Sequence, residues 1–220
     1  MTFDPQLFSS YLTTSDLGSP LYWFESASST NQILLQKLSE GAQIGTVAIA
    51  AQQTSGRGQW GRTWVSPLGG LYLSVAIAPN LPAQQSHRLT LASAWGIASQ
   101  LRSRNIPVQL KWPNDLYLHD KKLGGILSET SIQKEIIHQA VVGVGLNWQN
   151  ETLESAIALN HPSLEIHPPI NRLEELAALV VNGVADGLRS LTQSQLKEIL
   201  PNYQQWLYQS LPETLHWDTL

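Results

Sequence analysis

The stretch VQLKWPNDLYLHDKKLGGILSETSIQKEIIHQAVVGVGLNW, residues 108–148, decides the fold. Two apolar runs in it, 108–118 and 123–130, flank the polar residues 119–122 and predict a β-hairpin. A third run, 136–148, predicts another buried strand. Sequential strands joined by short polar turns favour antiparallel pairing, so this stretch predicts the centre of a largely antiparallel sheet.

The rest of the chain adds strands and helices around that centre. Apolar and β-branched runs predict further strands at 21–25, 46–53 and 71–78. Ser29 and Gln32 have the spacing of a capping box, which predicts a helix that starts there and stops before Gly41. Helical periodicity predicts the remaining helices, at 5–12, 87–104, 171–190 and 194–209. The fold class is therefore α+β, a largely antiparallel mixed sheet covered by helices.

Composition narrows the class of protein. The chain has 220 residues, no cysteine, and 14% charged residues, which fits a single globular domain without disulfides or thiolate metal sites. No apolar run reaches the roughly 18 residues of a membrane span. The first residues, MTFDPQLFSSYL, lack the basic start of a signal peptide. A cytoplasmic protein is the expectation.

The charge is unevenly distributed. The formal net charge is −4, yet residues 41–114 contain six Lys or Arg and no Asp or Glu. An acidic protein with one basic segment is not the usual nucleic-acid binder, for which the whole domain tends to be basic. The segment fits a site for a small anion such as a phosphate or carboxylate. We therefore expect neither nucleic acid nor membrane as a partner, although chance clustering of surface arginines gives the same composition.

The loop GRGQWGR, residues 56–62, contains the pattern GxGxxG after a predicted strand. A dinucleotide fold requires a helix directly after this pattern and an acid about 20 residues later, and both are missing. A flexible anion-binding loop fits better, with charge from Arg57 and Arg62. Trp60 and Trp64 could close over a ligand. The alternative is a surface loop with incidental arginines.

Charged residues also interrupt the predicted hairpin. Lys111 and Asp115 lie in KWPND, where Asp115 suits a metal–phosphate contact, and the alternative is a Lys111–Asp115 salt bridge at a strand end. Lys122 precedes Gly124-Gly125, so it could reach a reacting carbonyl or phosphate. The alternative for Lys121-Lys122 is solvated protection of a sheet edge.

The last predicted strand carries glycines at alternate positions, and the side-chain amide of Asn147 comes at its end. Gly143 and Gly145 have a spacing that suits close approach of another part of the chain. Asn147 follows them, either as a site residue or as the satisfied side chain of a bulge. The histidines show no metal-ligand spacing, and no Ser-His-Asp pattern is visible.

Six motifs in this order and spacing resemble the biotin–protein ligase family. The resemblance covers about residues 21–150 and comprises SSTNQ (28–32), QTSGRGQWGRTW (53–64), LYLS (71–74), KWPNDLYL (111–118), KLGGIL (122–127) and GVGLN (143–147). It implies a catalytic domain related to class II aminoacyl-tRNA synthetases and lipoate ligases. It also implies that biotin and Mg²⁺-ATP form biotinyl-5′-adenylate, which is attacked by a lysine of the biotin carboxyl carrier protein of acetyl-CoA carboxylase. A weak homodimer through an exposed sheet edge is a further implication.

The resemblance also implies roles for single residues. It makes Lys122 and Arg57 the catalytic cations, and Asp115 remains the expected metal contact. The implied biotin contacts are Ser29, Thr30, Asn31, Gln53, Gly58, Gln59, Gly124 and Gly125. The implied nucleotide contacts are Arg57 and Asn147, and we add Arg62, Trp64 and Asn114 from the loop and KWPND.

The chain departs from the family pattern in two ways. Gln59 stands where well-known members often have a basic residue. Many members also carry a C-terminal small β-barrel, and some an N-terminal winged-helix DNA-binding domain. The expectation here is a single catalytic domain over residues 1–220, with neither addition.

Two other functions compete with biotin ligation. One is a lipoate-type acyl ligase, which the GRGxxGR loop and KWPND disfavour; octanoyltransferases of the related kind use a cysteine, and the chain has none. The other is a non-catalytic sensor that binds biotin or its adenylate, which the presence of Lys122, Arg57 and Asp115 disfavours.

Overall fold

An eight-stranded sheet runs through the part of the chain that the computed structural model describes, residues 2–164, 170–191 and 193–210. The strands are β1 (Leu21–Phe24), β2 (Val47–Ala50), β3 (Leu71–Ile77), β4 (Leu81–Pro82), β5 (Gln109–Lys111), β6 (Asp115–Leu118), β7 (Lys121–Gln133) and β8 (Ile136–Leu146). The helices are α1 (Pro5–Tyr11), α2 (Thr30–Ser39), α3 (Ser86–Arg102), α4 (Leu173–Arg189) and α5 (Gln193–Gln205).

The sheet is mixed but mostly antiparallel, as the sequence predicts. Its order is β1-β2-β3-β8-β7-β6-β5, with β4 on β8. Among the eight described strands, β1 and β2 are the only parallel neighbours, and α2 connects them. The predicted α+β class is confirmed. The predicted strand 108–118 is wrong in one respect: it is two strands, because the chain turns at residues 112–114 and pairs Lys111 with Asp115.

Alternation along β3 separates the two faces of the sheet. Leu71, Leu73, Val75 and Ile77 are fully buried in the large core beneath α3 and α4. The residues between them face the opposite side, where α2 packs through a small apolar cluster of its own. Because side chains on a strand alternate between faces, one strand serves both layers.

Glycines allow α3 and α4 to pack in direct backbone contact. A methyl group on Gly96 would lie 1.9 Å from the carbonyl oxygen of Gly183. A methyl group on Gly187 would lie 2.4 Å from the carbonyl oxygen of Ala92. No side chain separates the helices at this crossing, so the helical layer sits as one tight unit behind the sheet.

The start of α2 is fixed by a residue from outside the helix. Ser29 is the N-cap residue, as expected, but its side chain makes no capping hydrogen bond. The predicted capping box is therefore wrong, and Gln32 is exposed. Instead, Oε1 of Gln53, just beyond β2, accepts a hydrogen bond from the backbone N–H of Thr30 at 2.9 Å. This bond satisfies one of the helix's free N–H groups and ties α2 to the sheet.

A β-bulge changes the register between β6 and β7. Leu116 is opposite Gly124, whereas Tyr117 is opposite Lys122, so Leu123 has no partner on β6. Lys122 and Gly125 are three positions apart and would face opposite sides of a regular strand. The extra residue brings them to the same face.

Within the described residues, no helix combines the length and apolar character that crossing a bilayer requires.

Replacing Gly96 by alanine should destabilise the protein. Alanine in a helix normally stabilises by roughly 0.5–1 kcal/mol relative to glycine. Here the new methyl group collides with backbone, so we expect the free energy of unfolding to fall by about 1–3 kcal/mol instead. Urea denaturation measures the change, and Ser99→Ala in the same helix should alter stability by no more than about 0.5 kcal/mol. A more stable Gly96→Ala protein would contradict the tight crossing.

Candidate active site

A cavity of about 520 Å³ lies on the α2 face of the sheet, opposite the large core. Its floor consists of the cavity-facing residues of β7 and β8, among them Gly125, Gly143 and Gly145. Its walls are the start of α2, the loop 57–64, residues 111–115 and Lys122. The volume is that of a typical small-molecule site.

The glycines of the floor let neighbouring parts of the chain approach the sheet. A methyl group on Gly143 would lie 2.0 Å from Oδ1 of Asn31. A methyl group on Gly145 would lie 2.4 Å from Nε1 of Trp64. The close approach that the Gly143–Gly145 spacing predicts is thereby confirmed.

One wall presents uncharged polar groups. Oγ of Ser74 lies 2.7 Å from Oγ1 of Thr30 and 2.6 Å from Oδ1 of Asn31. Nε2 of Gln53 donates to Oγ of Ser66 at 2.9 Å. These side chains hold each other in place, as recognition of a neutral polar ligand requires.

The loop arginine is held by a carboxylate on β7. Nη1 of Arg57 lies 3.0 Å from Oε1 of Glu129, and these side chains are 46% and 21% exposed. Oε2 of the same carboxylate accepts a hydrogen bond from Nδ2 of Asn31 at 2.8 Å. Glu129 therefore contacts two of the predicted site residues at once.

The second cation is held in the same way. Nζ of Lys122 lies 2.8 Å from Oδ1 of Asp115. Nζ also lies 5.3 Å from the ring centre of Trp64, within cation–π range. The Lys111–Asp115 salt bridge considered from the sequence is therefore wrong, because the bulge in β7 carries Lys122 to the cavity face beside Asp115.

Lys111 has aromatic partners instead. Its Nζ donates to the hydroxyl of Tyr117 at 3.2 Å and lies 5.7 Å from the ring centre of Tyr208. The two tyrosine rings stack at 4.6 Å. Tyr208 follows α5, and its backbone N–H bonds to the carbonyl of Leu110 on the edge strand. Lys111 thus joins the end of α5 to the edge of the sheet.

The loop between β2 and β3 is a narrow, hydrogen-bonded turn. The N–H of Gly58 bonds to the carbonyl of Arg62, and the N–H of Trp64 bonds to that of Gly56. Trp60 lies at the tip with a φ of 58° and is 90% exposed. The turn therefore projects a bare indole ring at the mouth of the cavity.

The base of this loop is better anchored than its tip. The hydroxyl of Tyr72 donates to the carbonyl of Pro67 at 2.7 Å, and burial raises the pKa of that hydroxyl above its usual value. Nε1 of Trp64 is buried and has no hydrogen-bond partner within the described residues. A ligand acceptor that entered beside Trp64 would satisfy it.

The structure brings most of the predicted site residues to this cavity. Those that line it are Ser29, Thr30, Asn31, Gln53, Arg57, Gly58, Gln59, Arg62, Trp64, Asn114, Asp115, Lys122 and Gly125.

Gly124 and Asn147 do not line the cavity. Gly124 faces the large core, where a methyl group would lie 2.3 Å from Cδ2 of Leu146. Asn147 is buried, and its Oδ1 accepts a hydrogen bond from Nδ2 of Asn150 at 3.0 Å. The amide of Asn114 is also engaged, because its Nδ2 donates to the carbonyl of Ile126 at 2.9 Å.

Sequence reasoning missed Glu129 and Ser74. The strand pattern marks both residues. Glu129 lies four positions after Gly125 on β7 and so faces the same side of the sheet, and Ser74 lies between two core residues of β3. A polar residue on the inner face of a buried strand needs a partner. That signal becomes useful only once the second face of the sheet is known to carry the cavity.

The cavity offers little to a resident metal ion. Within the described ranges, no three His, Cys, Asp or Glu side chains come together as a metal site would require. Asp115 is the predicted metal contact, and it is already paired with Lys122. One carboxylate fits an Mg²⁺ ion that is carried mainly by substrate phosphates and water.

Comparison with known proteins identifies the family. The model of the biotin/lipoate A/B protein ligase family matches residues 23–147, more than half of the chain. The bifunctional ligase/repressor BirA of Escherichia coli is 33% identical over 180 residues, which cover 80% of this chain and 56% of that protein. BirA of Bacillus spizizenii is 32% identical over 143 residues, 64% of this chain and 44% of that protein. The chain thus spans about half the length of these relatives.

Solved structures show the same fold. Biotin protein ligase from Aquifex aeolicus in complex with biotin and ATP aligns with a TM-score of 0.68 and 29% identity, over 86% of this chain and 79% of that chain. The Leishmania major enzyme in complex with biotinyl-5-AMP aligns with a TM-score of 0.72 and 22% identity, over 90% and 84% of the two chains. The predicted relation to biotin ligase catalytic domains is confirmed at the level of the fold.

Replacing Gly143 by alanine should disturb the cavity floor more than the same change at Gly125. The new methyl group would displace Asn31, so we expect a loss of about 1–3 kcal/mol in the free energy of unfolding. A methyl group on Gly125 would lie 3.3 Å from Oδ1 of Asp115 and 3.6 Å from Trp64, which small shifts can accommodate. Urea denaturation of both variants without ligand makes the comparison, and equal losses would contradict the contact with Asn31.

Proposed function

The chain belongs to the biotin/lipoate A/B protein ligase family, and on that premise we propose that it is a biotin–protein ligase. The reaction joins biotin to ATP as biotinyl-5′-adenylate and then transfers the biotinyl group to a lysine of a carrier protein. Residues 1–220 act in it as the catalytic domain.

The observation that carries the proposal is that one cavity has an uncharged polar wall and a positively charged wall. Thr30, Asn31 and Gln53 offer uncharged donors and acceptors suited to the ureido ring of biotin. Arg57 and Lys122 offer positive charge suited to a carboxylate and phosphates, and each is held in place by a carboxylate. The cavity between these two walls leaves room for the apolar chain of biotin.

In the first step, a carboxylate oxygen of biotin attacks the α-phosphorus of ATP. The bond from that phosphorus to the bridging oxygen breaks, and pyrophosphate leaves. Lys122 lies where its ammonium can exchange Asp115 for the biotin carboxylate and the attacked phosphate. Charge on the phosphorus oxygens grows in the transition state, and a positioned cation stabilises it there.

Arg57 has a matching role on the loop. Its guanidinium can exchange Glu129 for phosphate oxygens when the loop folds over the nucleotide. Arginine suits this exchange because its planar fork binds a phosphate through two hydrogen bonds. Asp115, once released from Lys122, would contact the Mg²⁺ that accompanies ATP, and that ion would supply positive charge to the pyrophosphate leaving group.

In the second step, the neutral amine of a carrier lysine attacks the acyl carbon of the adenylate. An amide bond forms, AMP leaves, and the amine proton passes to solvent or to the released phosphate. We assign the biotin carboxyl carrier protein of acetyl-CoA carboxylase as the acceptor and the cytoplasm as the compartment.

A transfer assay tests the function directly. The protein is incubated with ATP, labelled biotin and a biotin carboxyl carrier domain, and label is sought on the carrier lysine. A lipoate-type ligase would prefer lipoate in the same assay. A non-catalytic sensor would bind biotin without releasing pyrophosphate, and either result would overturn the proposal.

A weak homodimer fits one edge of the sheet. β6 pairs with β7 only as far as Gly125, while β7 continues to Gln133. The outer side of β7 beyond that point has no strand partner within the described residues, so a second copy can pair with it. Sedimentation velocity with and without biotin and ATP tests this association, and a monomer at every concentration would contradict it.

Replacing Arg57 by alanine should slow adenylate formation by about 100-fold, the usual value of one donor at a developing charge. Biotin binding without ATP should change much less, because other residues hold the ureido ring. Pyrophosphate release and biotin titration measure the two effects. Equal losses in both would mean that Arg57 only supports the structure.

Replacing Lys122 by alanine should lower the rate of adenylate formation by about 100-fold while the fold remains intact. Lys111→Ala is the matched control. Because Lys111 contacts Tyr117 and Tyr208 rather than the reacting end, its loss should lower the melting temperature more than the rate. Single-turnover adenylate formation and thermal melting of both variants decide between them. If Lys111→Ala loses the chemistry and Lys122→Ala retains it, the two roles are reversed.

A further inference from the structure

The carboxylate of Glu129 joins two parts of the cavity that are distant in the sequence. Oε1 holds Arg57 of the loop at 3.0 Å, and Oε2 accepts from Asn31 at the start of α2 at 2.8 Å. None of the sequence motifs gives Glu129 a role, and in the proposed reaction it serves only as the partner that Arg57 gives up for phosphate.

Glu129 fixes the orientation of the Asn31 amide. An ionised carboxylate only accepts hydrogen bonds, so the NH₂ group of Asn31 must face it. The carbonyl of Leu127, 3.3 Å from the same Nδ2, is also an acceptor and imposes the same orientation. Oδ1 of Asn31 therefore points at Ser74.

That orientation sets the direction of the next two hydrogen bonds. Oγ of Ser74 is close to both Oδ1 of Asn31 and Oγ1 of Thr30, but its hydroxyl has a single proton. Oδ1 of Asn31 has no proton, so Ser74 must donate to it. Oγ1 of Thr30 also lies 3.3 Å from the acceptor Oε1 of Gln53, but the closer contact with Ser74, at 2.7 Å, would hold no proton if Thr30 donated to Gln53. Thr30 therefore donates to Ser74, and the free lone pairs on its Oγ1 become acceptors at the cavity wall.

We propose that Glu129 is a positioning residue for biotin: through Asn31 and Ser74 it makes Thr30 an acceptor for an N–H of the ureido ring, and it holds Arg57 until phosphate replaces it. The inference rests on the proposed function. Its basis is that one partly buried carboxylate contacts both Arg57 of the loop and Asn31 of the helix.

Glu129→Gln tests both contacts without changing the size of the side chain. Glutamine can accept from Asn31 or face Arg57 with its carbonyl, but its NH₂ group then opposes the other donor. We call the hydrogen-bonded chain Asn31–Ser74–Thr30 the relay. We expect the dissociation constant for biotin without ATP to rise by about tenfold, because the hydrogen bonds of the relay no longer have a fixed direction. Hydrogen exchange of backbone amides 56–63 in the ligand-free protein should also rise several-fold, because Arg57 is released.

Two variants separate the contacts and leave Glu129 in place. Ser74→Ala breaks the relay and should raise the biotin dissociation constant while loop exchange stays the same. Arg57→Gln breaks the ion pair and should raise loop exchange more than it raises the biotin dissociation constant. Glu175→Gln is the matched control, since it removes the partner of Arg104 away from the cavity, and both readouts should then stay within about twofold of wild type.

The outcomes are distinct. If Glu129→Gln leaves the biotin dissociation constant and the loop exchange as unchanged as Glu175→Gln does, or changes only one of the two, then Glu129 does not link Asn31 and Arg57 and the proposal is overturned. If Ser74→Ala leaves biotin binding unchanged, the relay is overturned whether or not Glu129→Gln folds. A wild-type protein that binds biotin but forms no adenylate would overturn the proposed activity and leave the role of Glu129 standing. A wild-type protein that does not bind biotin would overturn both.

Discussion

The lack of side chains at Gly143 and Gly145 is the constraint on which the rest of the site depends. These positions lie on β8 where α2 and Trp64 come closest to the sheet, and a single methyl group at either would occupy space already taken. Close approach places Asn31 within reach of Ser74 on one strand and Glu129 on another. The hydrogen-bond network of the cavity therefore follows from the end of a strand that carries only glycine on one face and apolar residues on the other.

The charges of the cavity are arranged so that the protein is stable without ligand. Arg57 and Lys122 would repel each other and lose solvation if they stood unpaired in a cavity, but Glu129 and Asp115 neutralise them. In the proposed reaction, phosphates replace these carboxylates because they offer more charge and more acceptor atoms. The same side chains can then serve the folded ligand-free protein and the bound complex, at the cost of breaking two partly exposed ion pairs.

Much of the fold follows from the sequence, whereas the partners inside the site do not. Alternation and turn residues predict the antiparallel sheet, and the spacing of Gly143 and Gly145 predicts close approach. The partner of Asp115 depends on a one-residue bulge that no local pattern reveals, and the sequence therefore does not distinguish Lys122 from Lys111 as that partner. The cap of α2 comes from Gln53, which is 23 residues away in the chain. Such contacts depend on how strands are aligned in space, and propensity and periodicity carry no information on that alignment.

The bulge at Leu123 makes the direction of Lys122 depend on the register of β7. Lys122 shares a face with Gly125 only because one extra residue lies opposite β6. If β7 slipped by one residue so that Leu123 paired with Tyr117, Lys122 would turn toward the apolar layer under α3 and Leu123 would turn to the cavity side. Such a slip would expose Leu123, which is fully buried in the large core, and would bury the charge of Lys122. The burial of one leucine therefore keeps the lysine beside it directed into the cavity.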